Sequence, residues 1–263
     1  MFVEQPGNML DELVRDVEHG RIRNHQGPLV AVLVKDGADG QADPAAGAPA
    51  RGICNHLQNV VATSALFRAV LDSLDAWVSE GVEPPPSAVP IVADGTLVTM
   101  NAWSRQFPAV PSVLRPQGPN ELYTVDRSAV PPVADRSRGY TVLVPAVDAD
   151  GNETAGVRAP MVAVPLGTYT GWNTRAPGQG HGALHEFSGS TFPFAATEDE
   201  RLITGDLRPS IQKRYRDSTD YVAMIKAAAE ELVARRLLLE EDLERAPAAA
   251  ADWSAPRHRF EQP

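Results

Sequence analysis

An α/β architecture with helices flanking a buried strand follows from three features of the sequence. The run 29–34, Leu-Val-Ala-Val-Leu-Val, is apolar and rich in β-branched residues, with no polar alternation. A strand covered on both faces of a parallel sheet reads this way. Residues 59–80 repeat Phe67, Val70, Leu71, Leu74, Trp77 and Val78 at helical spacing, and residues 221–238 gather Val222, Ile225, Ala229, Leu232 and Val233 on one helical face. A strand, a loop and an apolar-faced helix make one α/β unit.

The elements follow in order. Residues 9–19 predict a first helix, capped by Asn8, striped by Leu10, Leu13, Val14 and Val17, and stopped by Gly20. The strand 29–34 gives way to a Gly, Ala, Asp and Pro loop over 35–51. Gly81 caps the helix 59–80, and Pro84, Pro85 and Pro86 forbid its continuation. Residues 84–132 read as proline-rich loop held against apolar surface by Trp103, Phe107 and Tyr123. A hairpin follows: a strand over 140–147, a tight turn at Asp150-Gly151 and a return strand over 154–164. The run 148–153 is not a calcium loop, because glycine stands at its fourth position instead of the sixth and no Glu at the twelfth. Thr197 and Glu200 form a capping pair before a short helix ending at Gly205. Residues 209–215 add a turn or two, and 240–245 continue the long helix 221–238 or start a short one. This divides the chain into an α/β unit (1–83), a Pro/Gly-rich hairpin segment (84–196), a helical segment (197–246) and a disordered tail (247–263).

Composition narrows the function. The 263 residues carry a net charge of −10, which argues against nucleic-acid and anionic-membrane partners, since both need clustered Lys and Arg. A single cysteine, Cys54, excludes an internal disulfide framework and fits a reducing compartment. The residues after Met1 have neither the basic nor the apolar region of a signal peptide, and the run 29–34 is far too short to span a membrane. A soluble, cytoplasmic protein is expected.

The search for chemistry returns few candidates. A serine hydrolase of the α/β type sets its nucleophile on a sharp strand-to-helix turn, hence G-x-S-x-G; no serine here has glycine at both −2 and +2. In Ser188-Gly189-Ser190 the glycine stands at the wrong offset, as in a glycine-hinged loop. Cys54 lies two residues before His56, but a thiol nucleophile takes its base through the fold, and a lone cysteine is more often a small buried apolar residue. His181 and His185 are the one candidate metal pair; Gly182 stands where the zincin pattern needs Glu, and Gly178, Gly180 and Gly182 oppose a helix. No phosphate-binding glycine loop occurs. Asp36 and Asp39 come straight after the buried strand, where α/β proteins collect functional side chains. They are the catalytic candidates, with a solvent loop as the other reading.

Three stretches taken together resemble the alpha/beta-hydrolase domain proteins, a family of large bacterial serine-hydrolase-like proteins. The first is Phe67-Arg68-Ala69-Val70-Leu71-Asp72 through Trp77-Val78, Gly81 and the triple proline to Ala93-Asp94-Gly95. The second is Ala155-Gly156-Val157-Arg158 with Val164-Pro165-Leu166-Gly167-Thr168-Tyr169-Thr170-Gly171-Trp172-Asn173. The third is Ser188-Gly189-Ser190 with Pro193-Phe194 and Gly205-Asp206-Leu207-Arg208-Pro209-Ser210. The resemblance covers residues 52–246. It implies the C-terminal part of an α/β-hydrolase fold, with an incomplete parallel sheet. It also implies a carboxylic-ester hydrolase that uses no metal or organic cofactor and takes a small-molecule ester.

In this fold the triad runs Ser, then Asp or Glu, then His, so nucleophile and acid are expected upstream of the chain. The histidine is expected near Asp36 and Asp39, where none stands: His25 precedes the strand and His56 arrives at the next helix. The expectation is a degenerate or partial copy, inactive alone; the other reading is a non-catalytic binding module on the same scaffold. An uncovered edge at the strand 29–34, with uncovered faces on the helices bearing Phe67 and Ile225, predicts poor solubility and self-association.

Overall fold

The computed structural model describes residues 51–119, 122–185 and 187–251. The helix expected over 9–19, the strand 29–34 and the loop holding Asp36 and Asp39 lie outside the described residues. Four two-stranded antiparallel ribbons and a set of helices make up the described part.

Helix α1 (Ser64–Glu80) ends where predicted, with Gly81 in the left-handed conformation and its N–H bonded to the carbonyl of Trp77. It starts at Ser64 instead of 59. The intervening backbone is held by the sheet: Asn59 N–H donates to Gly189 O at 3.1 Å, Asn59 Nδ2 to Thr170 O at 3.0 Å, and Val60 N–H to Thr191 Oγ1 at 3.2 Å. The buried face is also not the predicted one. Leu66, Ala69 and Ser73 point inward, while Leu71 and Val78 are 63% and 78% exposed.

The proline-rich segment contains more structure than its composition suggests. β1 (Leu97–Thr99) leads directly into α2 (Met100–Gln106), with Thr99 Oγ1 accepting the N–H of Ala102. β2 (Tyr123–Asp126) pairs with β3 (Val133–Gly139), and β1 pairs with β4 (Leu143–Pro145). The hairpin is shorter than predicted. Its return strand over 154–164 is absent: a single bridge joins Val147 to Glu153, and α3 (Pro160–Ala163) follows. Pro160 offers no N–H to a ladder and suits the first position of a helix.

β5 (Gly167–Thr170) pairs with β8 (Ser190–Pro193), and β6 (Asn173–Thr174) with β7 (Leu184–His185). α4 (Glu198–Thr204) is capped as predicted: Thr197 Oγ1 accepts from Glu200 N–H, Glu200 Oε2 accepts from Ala196 N–H at 2.7 Å, and Gly205 closes the end. α5 (Ile211–Arg214) and α6 (Ser218–Ala234) follow, the latter capped by Asp217. A 3-10 turn (Glu240–Asp242) precedes α7 (Arg245–Ala251), which buries Pro247 and Ala250. Burial of these two side chains orders residues that composition assigned to a disordered tail from 247.

Three apolar clusters hold these elements together. Leu66 of α1 meets Ala159, Val162, Tyr169 and Leu232; Val164 and Leu166 meet Tyr215, Tyr221 and Ile225; and Trp103, Phe107, Val144, Trp172 and Phe192 form an aromatic group. The first cluster joins segments from the N-terminal, central and C-terminal stretches in one core.

Candidate functional site

The hairpin positions the most unusual side chain of the described residues. Asp148 Oδ1 accepts the N–H groups of Asp150 and Asn152, each at 3.0 Å, and Asp148 N–H donates to Asn152 O at 2.8 Å. This widens the turn beyond two residues. A two-residue turn at Asp150-Gly151 would set Glu153 opposite Asp148; the observed bridge sets it opposite Val147. Because register decides which face a side chain takes, Glu153 is turned inward and is 8% exposed. The acids of the turn also pair with arginines, Asp148 through Oδ2 with Arg158 and Asp150 with Arg214.

Glu153 lines a cavity of about 30 Å³ together with Met100, Trp103, Val144, Trp172 and Leu184. The two indoles stand at 81° to each other with centroids 5.9 Å apart. Glu153 Oε2 is buried with no hydrogen-bond partner, and burial pushes its carboxyl well above the usual carboxylate range. A concave apolar site with one perturbed carboxyl is the kind of place where proteins bind ligands. The sequence alone does not single out Glu153, because a tight Asp150-Gly151 turn pairs it with Asp148 across the hairpin. The signal that could have found it is the string of turn-forming residues 148–152, which supports a longer loop.

The residues around Ser188 and His56 are committed to structure. Ser190 is fully buried and its Oγ donates to Trp172 O at 2.6 Å, while Ser188 Oγ donates to Gly189 O at 3.2 Å. Gly189 is a close-approach residue, not a hinge: a Cβ there would lie 2.1 Å from Thr170 O. His56 Nε2 lies 3.1 Å from Leu114 O and 3.2 Å from Leu114 N, so either tautomer is tied to that backbone. Burial holds its pKa below the ordinary histidine value. Asn173, fully buried, joins the two segments through Nδ2 bonds to His56 O and Gly189 O, both 3.1 Å. Cys54 is 3% exposed, and burial pushes its thiol up, against weaker opposing effects of Ser188 and Arg175. A nucleophilic thiol needs the opposite shift.

His181 is exposed in a turn between Gly180 and Gly182, both at positive φ, and His185 stands on β7 opposite Asn173. The helical spacing that lets an i, i+4 pair chelate is therefore missing. Among the described residues no group of three or more His, Cys, Asp or Glu could hold a metal ion. Asp36 and Asp39 lie outside the described residues.

A family model described as an alpha/beta hydrolase domain matches residues 23–248, well over half of the chain. The chain belongs to the alpha/beta-hydrolase domain family. No curated protein and no solved structure matches it. Membership gives the described helices and antiparallel ribbons a hydrolase-like scaffold. The three stretches that carry the resemblance also occupy defined places in it: the first is α1 and its cap, and the second runs through β5 and the aromatic group. The third holds the buried Asp206–Arg208 pair. No described helix is long and apolar enough to cross a membrane.

Proposed function

We propose that this chain carries the scaffold of a carboxylic-ester hydrolase without a nucleophile of its own, and that it hydrolyses no ester by itself. The observation behind this reading is that no serine in the sequence has the glycine neighbours of a nucleophile elbow. The burial of Ser190 and the attachment of His56 to Leu114 support it. Acyl transfer needs a serine oxygen, a base within hydrogen-bond reach and donors for the oxyanion. Without the first, only weak residual catalysis is expected. Assayed on p-nitrophenyl esters from acetate to octanoate, the protein should give no turnover above buffer. Turnover abolished by a serine-directed phosphonate would overturn the reading.

The Glu153 cavity favours a second reading, a non-catalytic binding module that keeps the family scaffold. The apolar side chains that α1 exposes, Val70, Leu71, Leu74 and Val78, support self-association, and the single buried Cys54 supports a reducing, cytoplasmic setting.

A further inference from the structure

We propose that the cavity beside Glu153 binds a small alkylammonium group, with the carboxylate as its counter-charge and the indoles of Trp103 and Trp172 as its walls. The inference rests on the binding-module reading and adds the ligand class. Three features of the cavity carry it. First, its volume, about 30 Å³, has room for roughly two water-sized groups, which suits an ammonium head bearing a methyl or the start of an alkyl chain. Second, Glu153 is the one ionisable side chain among the described residues lining it; no Lys, Arg or His is present to meet an anion. Third, the buried Oε2 has no donor from the protein, and an unsatisfied buried acceptor costs about 1–3 kcal/mol. An ammonium against the Glu153 carboxyl supplies a donor and the compensating charge together, and its binding releases the proton that the folded chain otherwise keeps.

The aromatic walls discriminate in the same direction. Trp103 and Trp172 are 5% and 6% exposed, so a cation at their ring faces is attracted with little competing water. Phe107 and Phe192 back the Trp172 indole at centroid distances of 5.7 and 5.8 Å, which holds it in place before any ligand arrives. A neutral alcohol of the same size gains the apolar contact but not the charge pairing.

The test is a titration of the full chain with methylammonium chloride, followed by the indole N–H signals of Trp103 and Trp172 in NMR, against sodium chloride at matched ionic strength. Saturable shifts of both signals are expected with methylammonium. Glu153→Gln should weaken binding roughly ten-fold or more, as removal of one partner of a buried charge pair does. Trp103→Leu, with Glu153 intact, should weaken it several-fold and serves if the Gln variant does not fold. Equal affinity in the Gln variant, or no saturable shift, would overturn the proposal. Saturation by methanol equal to that by methylammonium would overturn the ammonium assignment while leaving the binding-module reading in place. If neither probe binds, both fall.

Discussion

Arg208 and Glu153 are both buried, and they illustrate opposite ways of placing an ionisable group in a core. Arg208, 3% exposed, is fully engaged: Nε and Nη2 meet both oxygens of Asp206, Nη1 donates to Thr168 Oγ1 at 2.7 Å and Phe192 O at 2.9 Å, and Nη2 reaches Pro193 O at 2.9 Å. It thereby ties the loop after α4 to β5 and β8. Removing one partner of such a pair leaves an uncompensated buried charge, so Arg208→Ala should lose about 3–5 kcal/mol in urea unfolding. A loss under about 1 kcal/mol, typical of an exposed pair, would contradict the arrangement.

Glu153 has no such partner. Its folded pKa is raised above the ordinary 4.5, so below that pH both folded and unfolded chains hold the proton and nothing is lost. Above it the unfolded chain releases a proton that the folded chain keeps, and stability declines as pH rises towards the folded pKa. Glu153→Gln removes this titration. The melting temperature of the variant relative to the parent should climb as pH is raised above 4.5, and a difference that stays flat with pH would show that Glu153 ionises normally. Tyr215 is another buried ionisable group, pushed up to about 12 by burial while its hydroxyl donates to Pro165 O at 2.7 Å; it stays neutral over the whole range of such an experiment.

At the scale of elements, caps were legible and faces were not. Gly81, Gly205, Thr197 and the triple proline mark helix ends through local chemistry, and each performs as its residue type dictates. The buried face of α1 depends on distant residues. Two stripes compete on that helix, and Leu66, Ala69 and Ser73 win because Ala159, Val162 and Leu232 meet that side. Of the more apolar stripe, Phe67 and Trp77 are half-buried, while Val70 and Leu74, 42% and 37% exposed, join Leu71 and Val78 in solvent. Exposed apolar side chains grouped in this way are a candidate association surface. The protein should therefore self-associate in a concentration-dependent way by light scattering. The double variant Leu71→Lys, Val78→Lys should shift it towards monomer with stability changed by no more than about 0.5 kcal/mol per site. A parent protein that is monomeric at all concentrations would contradict the prediction. The face of α6 bearing Ile225 behaves differently: Ile225 is 2% exposed, covered by Tyr221, Tyr215 and Leu166, not left open as the sequence reading expected.

For the whole molecule, the family was legible because it rests on local runs of aromatic, Gly and Pro residues that need no knowledge of the fold. The short ribbons were not, since all but one of their strands run only two to four residues and carry too little periodicity to rise above proline-rich surroundings. The cavity was hidden for a related reason: it combines Trp103 of α2, Val144 of β4, Trp172 before β6 and Glu153 of the turn, which only the fold brings together. The absence of a nucleophile elbow, by contrast, is a property of the sequence itself, and the proposed lack of esterase activity stands on it. Intact-mass analysis after treatment with a fluorophosphonate is the decisive experiment, because the reagent marks an activated serine whatever its substrate. An unmodified mass is expected; a stoichiometric phosphonyl adduct mapped to a serine would show that the chain carries an activated nucleophile after all.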